Sequence, residues 1–448
     1  DVEQDYFVDG VTDELIGQLA QISGLRRVIS RTSVMKYKNT DKSLPEIARE
    51  LNVDAVVEGT VYQVGENVRI RVQLIDVLPQ ERNLWAQTYE RAGTDVLMMY
   101  GEIARAIASK LQVKLTTEEE TRLAKVRQVN PEAYEAYLKG MSHWYKMTPV
   151  ELESARQYFE SALEEDPNYA LAYTGLFLAL CTSAQMGMFP PGEILPKAKH
   201  YLLKALELDN TLAEAHFCMA AMKTWFDWDW EGGEAAFLKA LEINPNYPDA
   251  LVYYSNLLCY MGRPDEALEY AERAVELDPL NSNYLEMSAT VLHYMRRYDE
   301  AIVRYQEALK TSPYDPVGTS GLLESYHMKG MYEEAIAAAT ALLTGLGFVD
   351  LVNVMTEAYE ENGYSEAMNV VADTMAELSK EVYIPPCWIA SNYVYAGNKD
   401  RALECMEEAY KIGDLLMPYM IWPCFFDLLQ DEPRYQELLR KMNLTVGK

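Results

Sequence analysis

The chain reads as predominantly α-helical. A small α+β amino-terminal domain comes first, followed by an all-α superhelix, a solenoid of stacked helical hairpins. Three observations predict this. A pattern of small residues with a stop proline recurs at a spacing of 34 residues, so that Ala267, Ala274 and Pro279 superpose on Ala301, Ala308 and Pro313. Residues 1–115 instead contain stretches that alternate apolar and polar, the period of a half-buried strand. Charge divides at the same place: residues 1–115 carry a formal −3 and residues 116–448 carry −26, of −29 in all.

Within residues 1–115, VTDELIGQLAQI (11–22) has helical spacing, with Thr12 as the expected cap. RRVIS (26–30) is short and β-prone, and predicts a strand. SLPEIARELN (43–52) predicts a helix: Ser43 caps it, Pro45 sits in its first turn and Glu46 stands at capping-box distance. AVVEGTVYQV turns at Gly65, Glu66 and Asn67 into VRIRVQLID, where Val68, Ile70, Val72 and Leu74 alternate with Arg69, Arg71 and Gln73. A third strand, NLWAQTYER (83–91), follows the turn at 78–80, and DVLMMYGEIARAIASKL (95–111) closes the domain as an amphipathic helix. The expected order is αβαβββα. A helix that opens directly on a sheet normally follows a strand of that sheet, so the domain is expected to lack its first strand. The chain begins at Asp1 rather than a methionine and is expected to be an excerpt of a longer protein.

Residues 116–130 predict a charged helical linker, and the array runs from 131 to 413. The small-x3-large-x2-small-x4-Pro ruler resembles the second-helix half of a tetratricopeptide (TPR) unit. Alanines let helices approach, a large residue (Phe159, Leu202, Phe237, Tyr305) fills the space between units, and the proline stops the helix. About eight units are expected. The second carries extra residues around 187–194, and the seventh, near 349–380, is degenerate. Residues 414–448, punctuated by Pro418, Pro423 and Pro433, predict a helical cap over the last open face.

YFVDGVTDELI (6–16), LRRVISRTSVMKYK (25–38), LPEIARELNVDAVVEGTV (44–61), VRIRVQLID (68–76) and LWAQTYER (84–91) resemble the TolB-like amino-terminal domain found ahead of TPR arrays in bacterial signalling proteins. The likeness continues through NPEAYEAYLKG (130–140), PKAKHYLLKALELDNTLAEAH (196–216), FDWDWEGGEAAFLKALEINPNY (226–247) and DEPRYQELLRKMNL (431–444). The resemblance implies an architecture and a signalling context. Upstream effectors in such proteins are winged-helix DNA-binding domains (CadC-like regulators), kinases or nucleotide cyclases, often beyond a membrane helix. It brings no catalytic residues.

In TPR stacks, positions 2, 5, 9 and 12 of the first helix line the concave groove, as the resemblance implies. Six of the polar residues falling there, Asn256, Glu286, Thr290, His293, Glu324 and His327, are the candidate contacts for a peptide or protein partner. The array's charge favours a basic one. It also argues against nucleic acid, whose phosphates need clustered Lys and Arg.

No metal site and no cofactor are expected. His293 and His327 stand one repeat apart, on helices about 10 Å apart, too far to share a metal. The Asp227/Asp229 pair among tryptophans lacks the glycine and glutamate of a calcium loop. No HExxH, GxSxG, P-loop or GxGxxG occurs, so the segment reads as non-catalytic. The alternatives are an assembly scaffold, self-associating through an incomplete sheet edge, and an enzyme with a site at the domain seam. Six scattered cysteines show no CxxC pairing, and the longest apolar run, 335–349, is too short to span a bilayer. A cytoplasmic setting and an extracytoplasmic one on a membrane-anchored protein both stay open.

Overall fold

The structure is a computed structural model that describes residues 2–64, 67–92, 95–124, 130–313 and 315–444. The chain starts in a long helix, α1 (Val2–Ala20), followed by α2 (Arg31–Met35) and α3 (Leu44–Leu51). Three antiparallel strands come next, β1 (Ala55–Val64), β2 (Asn67–Asp76) and β3 (Arg82–Ala92), ordered β1-β2-β3, then α4 (Val96–Lys110) and α5 (Thr117–Ala124). Val61 lies opposite Ile70 and Ile70 opposite Tyr89. The alternation in β2 is what the sequence predicts: Val68, Ile70, Val72 and Leu74 are buried. They meet Met99, Tyr100, Ile103 and Ile107 of α4 and Leu19 of α1 in one apolar layer. Ser43 and Glu46 close the capping box at the start of α3. The expected turn at Gly65 and Glu66 lies outside the described residues.

Two expectations are corrected. Thr12 does not cap a helix; it sits inside α1 and donates to the Val8 carbonyl. RRVIS (26–30) forms no strand, because its backbone groups turn to the array instead of the sheet. Ser30 N–H donates to the Leu277 carbonyl at 2.8 Å, and Arg273 donates to the Arg26 carbonyl. The element order is therefore αααβββα, with a three-stranded meander among the described residues.

Helical hairpins follow in succession. They are α6 (Pro131–Trp144) with α7 (Pro149–Glu165), α8 (Ala170–Gln185) with α9 (Pro191–Leu208), and α10 (Ala213–Ala221) with α11 (Trp230–Ile243). Next come α12 (Pro248–Tyr260) with α13 (Pro264–Leu277), α14 (Ser282–Tyr294) with α15 (Tyr298–Thr311), and α16 (Pro316–Met328) with α17 (Tyr332–Gly345). The last two are α18 (Val349–Asn362) with α19 (Tyr364–Leu378), and α20 (Pro386–Tyr395) with α21 (Lys399–Ile412). A π-helical turn, Met222–Phe226, extends α10, and Asp229 caps α11 through Gly232 N–H while pairing with Lys223. The Asp227/Asp229 segment is thus a helix start.

The repeat ruler is visible in the packing. Phe159, Leu202, Phe237 and Tyr305 are fully buried, and so are the alanines flanking them. The space opposite Phe159 and Tyr305 has no room for one more carbon. A Cβ on Gly175 would lie 2.5 Å from the Phe159 ring, and one on Gly321 would lie 2.1 Å from that of Tyr305.

After α21 the chain turns back. A 3₁₀ segment (Met417–Ile421), α22 (Pro423–Leu429) and α23 (Pro433–Lys441) pack against earlier hairpins, and one apolar cluster runs from Phe177 to Leu444. Trp228 stacks on Tyr410 with ring centroids 5.2 Å apart, and Trp230 Nε1 donates to the Met442 carbonyl at 2.8 Å. The superhelix therefore closes on itself, third hairpin against eighth and tail.

The α+β domain docks on the loops that join one hairpin to the next. Asn246 Nδ2 donates to the carbonyls of Ala20 and Leu25 at 3.1 and 3.0 Å. Ser33 donates to Asp278 through both its N–H (2.8 Å) and its hydroxyl (2.5 Å), and its hydroxyl oxygen accepts from Leu280 N–H at 2.9 Å. Ser33 and Asp278 are fully buried, so losing either removes a buried hydrogen-bond partner of the other.

Three outcomes are expected. Gly321→Ala should lower stability in urea by about 1–3 kcal/mol, since the buried Tyr305 ring has no room to yield. Gly192→Ala, whose Cβ meets nothing within 4 Å, should not destabilise. Asn246→Ala should loosen the seam by about 1–3 kcal/mol, seen as faster amide exchange across residues 20–36 with the array unaffected.

Candidate functional site

The six predicted groove residues lie on the first helices of consecutive hairpins, Asn256 on α12, Glu286, Thr290 and His293 on α14, and Glu324 and His327 on α16. Their face of the array is covered. Asn256, Glu286, Thr290, His293 and Glu324 are buried and His327 is half-buried. The returning carboxy-terminal segment lies by Asn256, His293 and Glu324, while Glu286 and Thr290 pack within the stack against the next hairpin and Tyr305. The Trp422 ring sits 5.8 Å from that of His293, and Tyr419 meets Tyr260 edge-on at 5.9 Å. At the rim Arg296 pairs with both oxygens of Asp427, at 2.7 and 2.5 Å.

Beneath this cover the structure brings three of the residues together. Glu324 Oε1 accepts from the Tyr395 hydroxyl at 2.9 Å, and the Tyr395 ring lies 5.0 Å from that of His327. His293 Nδ1 is 2.9 Å from the Ser325 hydroxyl, and its Nε2 lies 3.8 Å from Glu324 Oε2, too long for a hydrogen bond. His327 Nδ1 is 3.1 Å from the Tyr364 hydroxyl. Thr290 is used within the array, donating to the Glu286 carbonyl and meeting the Tyr305 hydroxyl, both at 3.0 Å. Asn256 stands apart, its Nδ2 on Met287 Sδ at 3.1 Å.

Four atoms of this set are buried without a hydrogen-bond partner: Asn256 Oδ1, Glu286 Oε1, His293 Nε2 and Glu324 Oε2. Each such atom costs about 1–3 kcal/mol relative to a satisfied one. Burial also sets protonation. It raises Glu286 to about 9, with Asp315 adding to the shift, and raises Glu324 to about 8 against the pull of the Tyr395 hydroxyl. It lowers His293 to about 3 and His327 to about 4. At neutral pH the acids hold their protons and the histidines are neutral, so no charge is buried without a counter-charge.

Covering by Trp422 and Tyr395 was missed in the sequence. The available signal was the apolar density of MPYMIWPCFF (417–426), more than a cap over one hairpin face needs. Among the described residues no group of three or more His, Cys, Asp or Glu is placed to hold a metal ion, and the six cysteines are unpaired. Nor is any described helix long and apolar enough to cross a membrane.

Comparison with known proteins agrees with the hairpin stack. Tetratricopeptide-repeat family models match residues 236–269 and 255–316, and the chain carries such repeats. A Rhizobium meliloti (strain 1021) protein with the provisional name adenylate cyclase 3 is 32% identical over 226 residues, 50% of this chain and 38% of that one. The transcriptional regulator HilA of Salmonella typhimurium is 22% identical over 260 residues, 57% of this chain and 45% of its own. The chain thus spans less than half the length of these relatives. The crystal structure of YrrB, a TPR protein described as having an unusual peptide-binding site, is similar at 22% identity and TM-score 0.29, over 42% of this chain and 91% of that one.

The raised acids make a testable pH dependence. A carboxyl lifted from 4.5 to about 8 favours the folded state at low pH, and that contribution is lost as pH rises from 4.5 through 8. Glu324→Gln should therefore flatten the fall of the urea midpoint between about pH 5 and 8, compared with the unsubstituted chain.

Proposed function

We propose that this segment is a non-catalytic protein-interaction and sensory module of a bacterial signalling protein, holding a partner's polypeptide along the inner face of α12, α14 and α16. The observation that carries the reading is the unmet hydrogen-bonding capacity of Asn256, His293 and Glu324 beneath the carboxy-terminal segment. An apolar cover such as Trp422 leaves those atoms unsatisfied, whereas a peptide backbone offers a donor and an acceptor at every residue. The segment from 414 to 429 is on this reading an internal occupant that a partner displaces. The likeness of residues 1–115 to TolB-like domains supports the signalling setting, as do relatives named for a cyclase and a transcriptional regulator. An effector elsewhere in the whole protein would read the exchange as a shift between two states.

Selection of binders from a random peptide library on the full chain tests this. Bound peptides should protect α12, α14 and α16 from amide exchange and deprotect residues 414–429. Asn256→Ala combined with Glu324→Ala should weaken binding about tenfold or more. Protection that maps elsewhere, or binding unchanged in the double variant, would discredit the inner face as the binding surface.

A second reading, assembly of copies through the sheet, is favoured by one feature. β1 and β3 each pair only with β2 among the described residues, leaving two long edges. A monomer in sedimentation at high protein concentration would remove it.

A further inference from the structure

A cavity of about 500 Å³ lies between α1 and the inter-hairpin loops of the first units. Its walls come from both parts of the chain. Asp13 and Glu14 enter from α1, Glu214 from α10 and Asp249 from α12. The tyrosines Tyr137, Tyr145 and Tyr247 also line it. Among the described residues lining the cavity, Arg122 is the one with a positive side chain.

This is more than a cluster of surface acids. The Asp13 residue is half-buried and lines the cavity, and its carboxyl accepts no hydrogen bond among the described residues. Burial lifts it to about 6, partly offset by Arg31, while Glu14, Glu214 and Asp249 push in the same direction as burial. Asp249 accepts from the Tyr284 hydroxyl at 2.8 Å and is likewise lifted to about 6 by burial, with Asp278 adding to the effect. Arg31, the counter-charge that offsets the shift of Asp13, has its guanidinium 5.4 Å from the Tyr145 ring centroid. Carboxylates facing a shared void repel one another, and a cation placed among them relieves both that repulsion and the lost hydration. Tyrosine rings around a cation add attraction through their π faces.

We propose that this seam cavity is a binding site for a cationic side chain, lysine or arginine, of a basic protein segment, held by Asp13, Glu214 and Asp249 and by Tyr137, Tyr145 and Tyr247. A protein source fits the dimensions: the void exceeds what a lone ammonium group fills, and Gln18, Gln21 and Asn168 at its border can meet backbone amides. It also fits the strongly negative array. Because Asp13 belongs to α1 and Asp249 to the array, the ligand bridges the two parts. Occupation tightens their docking, and tight docking raises affinity by the same factor.

The test uses the full chain with three probes: a capped Gly/Ser peptide carrying one arginine, the same peptide with citrulline, and free agmatine. Calorimetric titration at pH 7.5 should show the arginine peptide binding at least about tenfold tighter than the citrulline peptide, with Asp13→Asn and Asp249→Asn each weakening it about tenfold. Equal binding of arginine and citrulline peptides, or indifference to both substitutions, overturns the proposal. Agmatine binding as tightly as the arginine peptide overturns the protein source. Where a variant is poorly folded, amide exchange on the unsubstituted chain decides. Protection of residues 137–145 by the arginine peptide supports the site, and its absence overturns it. Asn256→Ala with Glu324→Ala should leave these affinities unchanged, so the outcome here and that for the inner face separate; a loss in that variant would move the cation site to the inner face and overturn this one.

Discussion

A pair of helices of about thirty residues presents more apolar surface than it can hide against itself, and this chain repeats such pairs one after another. Everything above the level of the hairpin follows from that constraint. Each second helix offers alanines on either side of one bulky residue, and the neighbouring first helix must come close enough to cover both. Phe159, Phe237 and Tyr305 are sealed this way, and Gly140, Gly175 and Gly321 mark places where even a methyl group would obstruct the approach.

The same constraint acts beyond the eighth hairpin, where the chain turns back. Here the tail does more than cap. Tyr419, Trp422 and α22 return across the first helices, and Trp230 and Trp228 reach across to Met442 and Tyr410. Apolar burial is gained, but polar groups on that face lose water without gaining partners. Burial then keeps Glu286 and Glu324 protonated and His293 and His327 neutral. A face that is polar by composition and covered by aromatic side chains is a compromise between two demands, stacking closure and hydrogen bonding.

The α+β domain shows a second competition. Residues 26–30 have the composition of a strand, yet the Ser30 N–H donates to the Leu277 carbonyl and the Arg26 carbonyl accepts from Arg273, while Asn246 and Asp278 hold Leu25 and Ser33 on either side. Asn246 and Asp278 lie in successive inter-hairpin loops and Arg273 on α13 between them, so the repeat supplies docking groups along one side of the stack. The seam it makes is polar and incompletely filled, unlike the apolar layer between β2 and α4.

What the residues determined alone was local and periodic. The 34-residue spacing, the buried alternation of Val68 to Leu74 and the capping box at Ser43 could all be read because each depends on neighbours within a turn, a strand or one repeat. The candidate residues were placed on the right helices for the same reason. Their surroundings were decided only in three dimensions. Whether His293 faces water or Trp422, whether Arg26 pairs with a strand or with Arg273, and whether Asp13 meets Asp249 depend on contacts between residues more than a hundred positions apart. No periodicity encodes such meetings, because they arise from the accumulated curvature of many hairpins and from which surface that curvature brings within reach.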